Sequence, residues 1–103
     1  MSKITLTATL TAAEGKADEL EAALVALIAA ADEEPGLEVY SASKSKDDPN
    51  VFVFFEVYRD AEALEVHGKG DAMKAAMGAM GGLLAGRPDV KLMDPVAAKG
   101  LEF

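Results

Sequence analysis

The sequence predicts an α+β fold in which an antiparallel sheet of four strands carries helices on one face. Three observations lead to this prediction. Segments 3–10, 37–45 and 51–58 have the length and apolar pattern of strands. Apolar residues recur at helical spacing after the first and the third of these segments. A cluster of turn-forming residues separates the second segment from the third, as in a hairpin.

The first strand and the first helix come from residues 3–33. In the strand KITLTATL, one face is apolar and the other carries threonines; the apolar residues are Ile4, Leu6, Ala8 and Leu10. Gly15 suits a loop, although Thr11 and Glu14 would also suit a capping box at the helix start. The helix is predicted from about Lys16 to Glu33, because leucines and alanines recur there at helical spacing. Pro35 and Gly36 end it.

The second and third strands are predicted as a hairpin, LEVYSASKS and VFVFFEVY, joined by KDDPN. Asp60 is a suitable N-cap for a short helix from Ala61 to about His67, which Gly68 would close. A second helical stretch then opens at Gly70 or Asp71.

One stripe of that stretch is apolar and rich in methionine: Met73, Ala76, Met77, Met80 and Leu84. GRPD interrupts it, and VKLM is predicted as the fourth strand. The order is β-α-β-β-α-β, the split pattern of ferredoxin-like folds. Residues 1–103 therefore form one predicted domain, with a C-terminal extension at about 95–103.

The third strand is apolar on both faces. Val51, Val53, Phe55 and Val57 share one face, and Phe52, Phe54, Glu56 and Tyr58 share the other. Since helices cover only one face of such a sheet, the other needs a second layer. We expect a second copy of the chain, giving a homodimer packed sheet to sheet. In the alternative, the chain is a monomer whose tail folds across the open face.

The composition excludes several classes of partner and site. The formal net charge of −8 argues against nucleic acids and anionic membrane surfaces. The absence of cysteine excludes thiol chemistry, and a single histidine makes a zinc site unexpected. No metal, flavin, nicotinamide or phosphate-loop signature is present. MSKITLTATL alternates instead of forming a secretory signal, so the expected location is the cytoplasm.

Several side chains are candidates for chemistry, each with a structural alternative. His67 could transfer protons near neutral pH, or face water at a helix end. Burial would make Glu56 an acid or base, unless it is a structural carboxylate paired with Lys44, Arg59 or the backbone. Tyr40 and Tyr58 could bond a phenolic ligand or pack as core. Met73 and Met77, with the neighbouring Met80, could line a flat ligand or belong to the core.

The chain resembles the antibiotic biosynthesis monooxygenase (ABM) domain, including its quinol monooxygenase-like members. The stretch EEPGLEVYSASKSKDDPNVFVFFEVYRDAEALEVHGKGDAMKA carries the resemblance, through Pro35-Gly36, Tyr40, Asp48-Pro49, the strand with Glu56, and His67. The ending LLAGRPDVKLMDPV is similar as well. The resemblance implies a dimeric α+β barrel. It also implies an enzyme without metal or flavin that oxidises phenols, anthrones or quinols with O2, the deprotonated substrate supplying the electron.

The resemblance implies a pocket between the sheet and the helices. Phe54, Glu56 and Tyr58 would look into it, with His67 near its rim. The remaining walls would come from Leu6, Ala8, Met73 and Met77, and Tyr40 is a further candidate for ligand contact.

Two departures from the family pattern bear on activity. The asparagine and tryptophan of polyketide-tailoring members align with Phe54 and Tyr58. The asparagine, tryptophan and histidine of haem-degrading relatives align with Ala8, His67 and Met77, so haem degradation is not expected.

These residues support two functional hypotheses. In the first, the chain is a cofactor-independent monooxygenase for a quinol, phenol or anthrone. His67 is then the general base, Tyr58 orients the substrate oxygen and Glu56 tunes or relays the proton. In the second, the chain is a non-catalytic module that binds a small aromatic or only dimerises.

Overall fold

The computed structural model describes residues 2–103, except for the side chain of Glu33. It confirms the ferredoxin-like α+β fold. The strands are β1 (Ile4–Thr11), β2 (Leu37–Lys44), β3 (Val51–Tyr58) and β4 (Asp89–Met93). The helices are α1 (Ala17–Ala30), α2 (Ala61–Lys69) and α3 (Asp71–Met80). Single 3-10 turns, Ala31–Glu33 and Gly81–Leu83, extend α1 and α3.

The four strands form one antiparallel sheet in the order β2-β3-β1-β4. Their register aligns one row of residues across the whole sheet. In this row Tyr40 pairs with Glu56, Glu56 with Leu6, and Leu6 with Leu92. Because neighbours in a row point to the same face of a sheet, these four side chains lie on the helix-covered side.

The core lies between that side of the sheet and the helices. Alternate residues of β1 and β3 face the leucine stripe of α1, whose buried members are Leu20, Leu24 and Leu27. Burial of this stripe, rather than a cap, holds α1 in place, since its first residue has no side-chain cap. The predicted extent of the first helix is therefore confirmed.

The structure decides between the two alternatives before the first helix, and it contradicts one predicted helix boundary. Thr11 belongs to β1 and forms no capping box with Glu14; Gly15 turns the chain instead, with a φ of +75° that favours glycine. The second helix does not close at Gly68 but continues to Lys69, with Gly70 as its C-cap. By contrast, the Asp60 cap is confirmed: its Oδ1 accepts the Ala63 N–H at 2.9 Å.

The predicted turn between the second and third strands is confirmed. The Ser45 hydroxyl accepts the backbone N–H groups of Asp47 and Asp48, and Asp48 accepts that of Asn50. Side chains thus satisfy the amides that the hairpin ladder leaves unpaired.

The other face of the sheet carries no helix. At one end of this face, the cross-strand neighbours Thr5 and Val57 are buried. Farther along, Val51, Val53 and Phe55 remain half-exposed. The middle of the face is therefore apolar but uncovered within a single chain.

Residues 94–103 follow β4 without forming a helix or strand. Lys3 Nζ donates to the Glu102 carbonyl oxygen at 2.9 Å, which brings the segment back to the start of β1. In the part of the chain that the structure describes, no helix is long and apolar enough to cross a membrane.

Candidate functional site

A cavity of about 470 Å³ lies between the sheet and the helices. Its walls are mostly aliphatic and aromatic. All nine side chains singled out from the sequence line it: Leu6, Ala8, Tyr40, Phe54, Glu56, Tyr58, His67, Met73 and Met77. The fold therefore gathers residues from β1, β2, β3, α2 and α3 around one space. This volume is in the range of small-molecule pockets.

The floor of the cavity holds a buried pair, Glu56 and Tyr58. Because they lie two residues apart on β3, their side chains share a face, and the Tyr58 hydroxyl donates to Glu56 Oε1. Only 5% of Glu56 is exposed, and Tyr58 is fully enclosed. Glu56 thus pairs with Tyr58. If it were only a structural carboxylate, the expected partners were Lys44, Arg59 or the backbone. Neither of those side chains is its partner: Lys44 binds Glu21 and Arg59 binds Asp60.

Burial raises the pKa of Glu56, because desolvation penalises the carboxylate. The Tyr58 hydrogen bond and the nearby His67 lower this pKa, and Glu34 raises it, but desolvation is the largest effect. Burial also raises the pKa of Tyr58, and the hydrogen bond to Glu56 adds to the rise. The phenol of Tyr58 is therefore neutral near pH 7.

His67 lies on the inner face of α2, with 6% of its surface exposed. The alternative that it faces water at a helix end is wrong. The reason is that His67, although in the last turn of α2, lies with Ala63 on the buried face of the helix. Its ring lines the cavity beside Tyr58, at 5.7 Å between centroids.

The Glu34 carboxylate contacts the Nδ1 side of the His67 ring. His67 Nδ1 lies 2.8 Å from Glu34 Oε1 and 3.1 Å from Oε2. Glu34 stands between the 3-10 turn after α1 and the start of β2, so the contact joins parts of the chain 33 residues apart. His67 Nε2, the other ring nitrogen, is fully buried and has no hydrogen-bond partner among the described residues.

Tyr40 and Phe54 form an aromatic wall. Their rings stack with centroids 5.1 Å apart and planes 16° apart, and Tyr40 meets the His67 ring edge-on at 5.3 Å. Burial raises the pKa of Tyr40, and the charges of Glu56 and Glu34 raise it further. Its hydroxyl is therefore neutral near pH 7 and can donate or accept a hydrogen bond.

The mouth of the cavity carries more exposed residues. Met77, Arg87 and Val90 line it and are exposed, and Met73 is half-buried. Flexible methionine side chains suit a mouth that admits flat ligands of differing outline. The Arg87 guanidinium supplies a positive charge at this entrance.

The arrangement can take a proton and hold the resulting anion in a dry space. His67 supplies the ring for proton transfer, and the Glu56–Tyr58 pair supplies a second proton-holding unit. Among the side chains that the structure describes, no three Asp, Glu or His residues gather as a metal site requires.

Glu34 and Arg87 were not identified from the sequence. Glu34 is one of several acidic residues before Pro35, and nothing in its local pattern separates it from Glu33. Its role depends on α2 packing against the segment that leads into β2. Arg87 lies in GRPD, which indicated only a break between α3 and β4.

Comparison with solved structures gives relatives over nearly the whole chain. A candidate antibiotic biosynthesis monooxygenase from Caulobacter crescentus shares 37% identity with a TM-score of 0.88, covering 93% of this chain and 92% of its own. A Pseudomonas aeruginosa protein shares 31% identity with a TM-score of 0.86, covering 94% and 97%. A Shewanella oneidensis protein shares 30% identity with a TM-score of 0.87, covering 94% of both chains. The comparison with curated proteins gave no match.

The family model for antibiotic biosynthesis monooxygenases matches residues 3–79. This span runs from the start of β1 nearly to the end of α3 and includes all nine candidate residues. The model match and the relatives at 30% identity or more agree with the fold. The chain belongs to the antibiotic biosynthesis monooxygenase family.

Proposed function

We propose that this protein is a monooxygenase that oxidises a small hydroxylated aromatic with O2, using neither a metal nor a flavin. One observation carries the proposal: the buried ring of His67, whose Nε2 has no hydrogen-bond partner among the described residues, lines an apolar cavity large enough for a flat aromatic. Family membership and the Caulobacter relative support a monooxygenase-type activity. The stacked ring wall and the neutral phenols around the cavity support an aromatic substrate.

The reaction balances without a further redox partner. For a phenol with a free para position, the substrate and O2 give the para-quinone and water. His67 Nε2 removes the phenolic proton, and the phenolate passes one electron to O2. The two radicals combine into a C–O bond. The peroxide takes up the proton that His67 removed; the para C–H bond then loses its proton as the O–O bond breaks, leaving one oxygen as the quinone carbonyl and the other in water.

The chain's residues hold the anion during this sequence. The Glu34 carboxylate stabilises the imidazolium that His67 becomes. Tyr58 orients the substrate oxygen. Because the pKa of Glu56 is raised, Glu56 can hold a proton and donate it to the Tyr58 oxygen, which frees the Tyr58 hydroxyl to donate to the phenolate. In this way Glu56 relays the proton.

Oxygen consumption with a panel of quinols, phenols and anthrones tests the proposal. We expect uptake that depends on the protein and that His67→Ala reduces at least about 100-fold, the usual contribution of a general base. Val66→Ala is the matched control, because Val66 is the neighbouring residue on α2 and faces solvent. Unchanged turnover in His67→Ala would remove the proposed base.

A second candidate is a non-catalytic module that binds a small aromatic. Phe54 favours it: this residue aligns with the asparagine of polyketide-tailoring members, and its hydrocarbon ring cannot hydrogen-bond an oxyanion. In this case quinols bind to the cavity, and protein-dependent oxygen uptake is absent across the whole panel.

We also propose that the protein is a homodimer packed sheet to sheet. The half-exposed residues Val51, Val53 and Phe55 support this arrangement, since they leave the middle of the helix-free face apolar. A second copy supplies a self-complementary partner for this face.

A further inference from the structure

We propose that Glu34 is a positioning residue that makes His67 Nε2 a hydrogen-bond acceptor, so that the cavity selects aromatics with a free hydroxyl over quinones and aryl ethers. The inference rests on the proposed function, because it assigns the preferred form of the ligand to the same cavity. It concerns binding, however, and can be measured without turnover.

The position of the ring proton follows from the partners of Nδ1. Both Glu34 oxygens lie within hydrogen-bond distance of Nδ1, and an ionised carboxylate can only accept. Nδ1 therefore carries the hydrogen and donates it. In a neutral imidazole the other nitrogen, Nε2, then has a bare lone pair.

The surroundings of Nε2 suit an acceptor better than a donor. Nε2 is buried and meets no acceptor among the described residues. An N–H at this position would be a buried donor without a partner, which is rarer and costlier than an unsatisfied acceptor. A ligand hydroxyl that donates to Nε2 supplies the missing partner. A quinone carbonyl or an ether oxygen has no hydrogen to donate, so its lone pair faces the lone pair of Nε2 and the two repel each other.

The other polar groups of the cavity do not reverse this preference. The Tyr58 proton is engaged by Glu56, so Tyr58 offers an oxygen to the cavity in this state. Tyr40 can donate or accept, and it therefore does not discriminate between the ligands. The carboxylate of Glu34 adds negative charge beside the His67 ring, which disfavours electron-rich carbonyl oxygens close by. His67 Nε2 thus decides the preference.

The preference has a consequence for turnover. The substrate hydroxyl donates to Nε2, whereas the quinone product has no hydroxyl hydrogen at that oxygen. Oxidation therefore removes the hydrogen bond that held the substrate, and the product leaves the cavity more easily than the substrate. A site with an N–H at Nε2 would hold the product instead.

Equilibrium binding without oxygen tests the inference. The probes are 1,4-dihydroxynaphthalene against 1,4-naphthoquinone, and the redox-inert pair 2-naphthol against 2-methoxynaphthalene. We expect the wild-type protein to bind each hydroxyl compound about 10-fold more tightly, the value of one hydrogen bond to a buried acceptor. Equal affinities within each pair would overturn the inference.

Two substitutions at Glu34 separate its role as an acceptor from its charge. Glu34→Gln keeps an oxygen that can accept from Nδ1, so we expect the preference for hydroxyl compounds to persist. Glu34→Leu has a similar size but no acceptor, so we expect the preference to fall below about 3-fold. A preference that is unchanged in Glu34→Leu would contradict the inference.

Nitrogen-15 NMR reads the tautomer directly. Because the chain has one histidine, its two ring nitrogens give the only imidazole signals. We expect a protonated Nδ1 and a bare Nε2 in the wild type, and a shifted tautomer in Glu34→Leu. The wild-type spectrum alone is decisive if that variant does not fold: a protonated Nε2 overturns the inference.

The binding experiments and the turnover experiments test the two proposals separately. Oxygen uptake with equal binding of hydroxyl and ether compounds would overturn the role of Glu34 and leave the proposed monooxygenase intact. A hydroxyl preference with no oxygen uptake would support the role of Glu34 and overturn the monooxygenase.

Discussion

Tyr58 donates its hydroxyl hydrogen to Glu56, two residues earlier on the same strand and on the same face. Neither side chain reaches bulk solvent. A carboxyl group in such a place is stable when it is neutral, or when its charge is fully hydrogen-bonded. Protonation of Glu56 in this pair therefore makes the free energy of unfolding depend on pH.

Glu56→Gln should stabilise the protein at pH 7. Burial raises the pKa of Glu56 in the folded protein above its ordinary value of 4.5, so the folded chain keeps a proton that the unfolded chain has lost. The stabilisation from Glu56 is fully present below about pH 4.5 and is lost as pH rises through the raised pKa. Glutamine stays neutral, so we expect a gain of about 1 kcal/mol at pH 7 and little difference at pH 4.

Urea unfolding at the two pH values measures this difference. Glu14→Gln, in the exposed turn after β1, is the matched control and should change neither value. A Glu56→Gln gain that is the same at both pH values would contradict the role of desolvation.

Tyr58→Phe should destabilise the protein by about 1–3 kcal/mol at pH 7, because Glu56 loses its hydrogen-bond donor while it remains buried. Since that hydrogen bond lowers the pKa of Glu56, its loss raises this pKa further. Urea unfolding of Tyr58→Phe, Glu56→Gln and the double variant gives the coupling between the two residues. Strictly additive effects would show that the hydrogen bond contributes nothing to stability.

Gly36→Ala should disturb the contact between α2 and the start of β2. A Cβ at Gly36 would lie 2.5 Å from Ala63 Cβ, well inside van der Waals contact. We expect a loss of about 1–3 kcal/mol, with weaker ligand binding as Glu34 and His67 move apart. Thermal unfolding measures the loss, and Ala63→Gly should restore part of it by removing the clashing methyl group. Failure of that second substitution to help would exclude the clash as the cause.

Phe55→Lys should abolish the proposed dimer, because it places a charge in the middle of the apolar, helix-free face. Sedimentation equilibrium should give half the wild-type mass. Val25→Lys is the control: Val25 is an exposed apolar residue of α1, away from that face, and the variant should keep the wild-type mass. A wild-type protein that is monomeric at all concentrations would contradict the dimer.

The sequence predicted those features that depend on short-range patterns. The alternation in β1, the apolar run of β3, the leucine stripe of α1 and the Asp60 cap each involve residues within a few positions of one another. The sequence also predicted that Phe54, Glu56 and Tyr58 share one face of β3, because side chains alternate between the two faces of a strand.

The features that were missed depend on packing between distant segments. Gly68 has the local signature of a helix end, yet α2 continues because its inner face, with Ala63 and His67, is buried against the core. The same packing brings His67 to Glu34, and no spacing in the sequence indicates that contact. Burial of Nε2 could likewise be seen only in the structure.

Because one row of residues crosses all four strands, the site is more sensitive to a change in the length of a strand than to a substitution within it. Deleting one residue from β3 ahead of Glu56 would shift the strand by one position against β1 and β2. Glu56 and Tyr58 would then point away from the helices, and Phe55 and Val57 would occupy the cavity floor. Relatives that have lost or gained a residue in this strand would thus keep the fold while losing the site, whereas many single exchanges around the cavity would leave it intact.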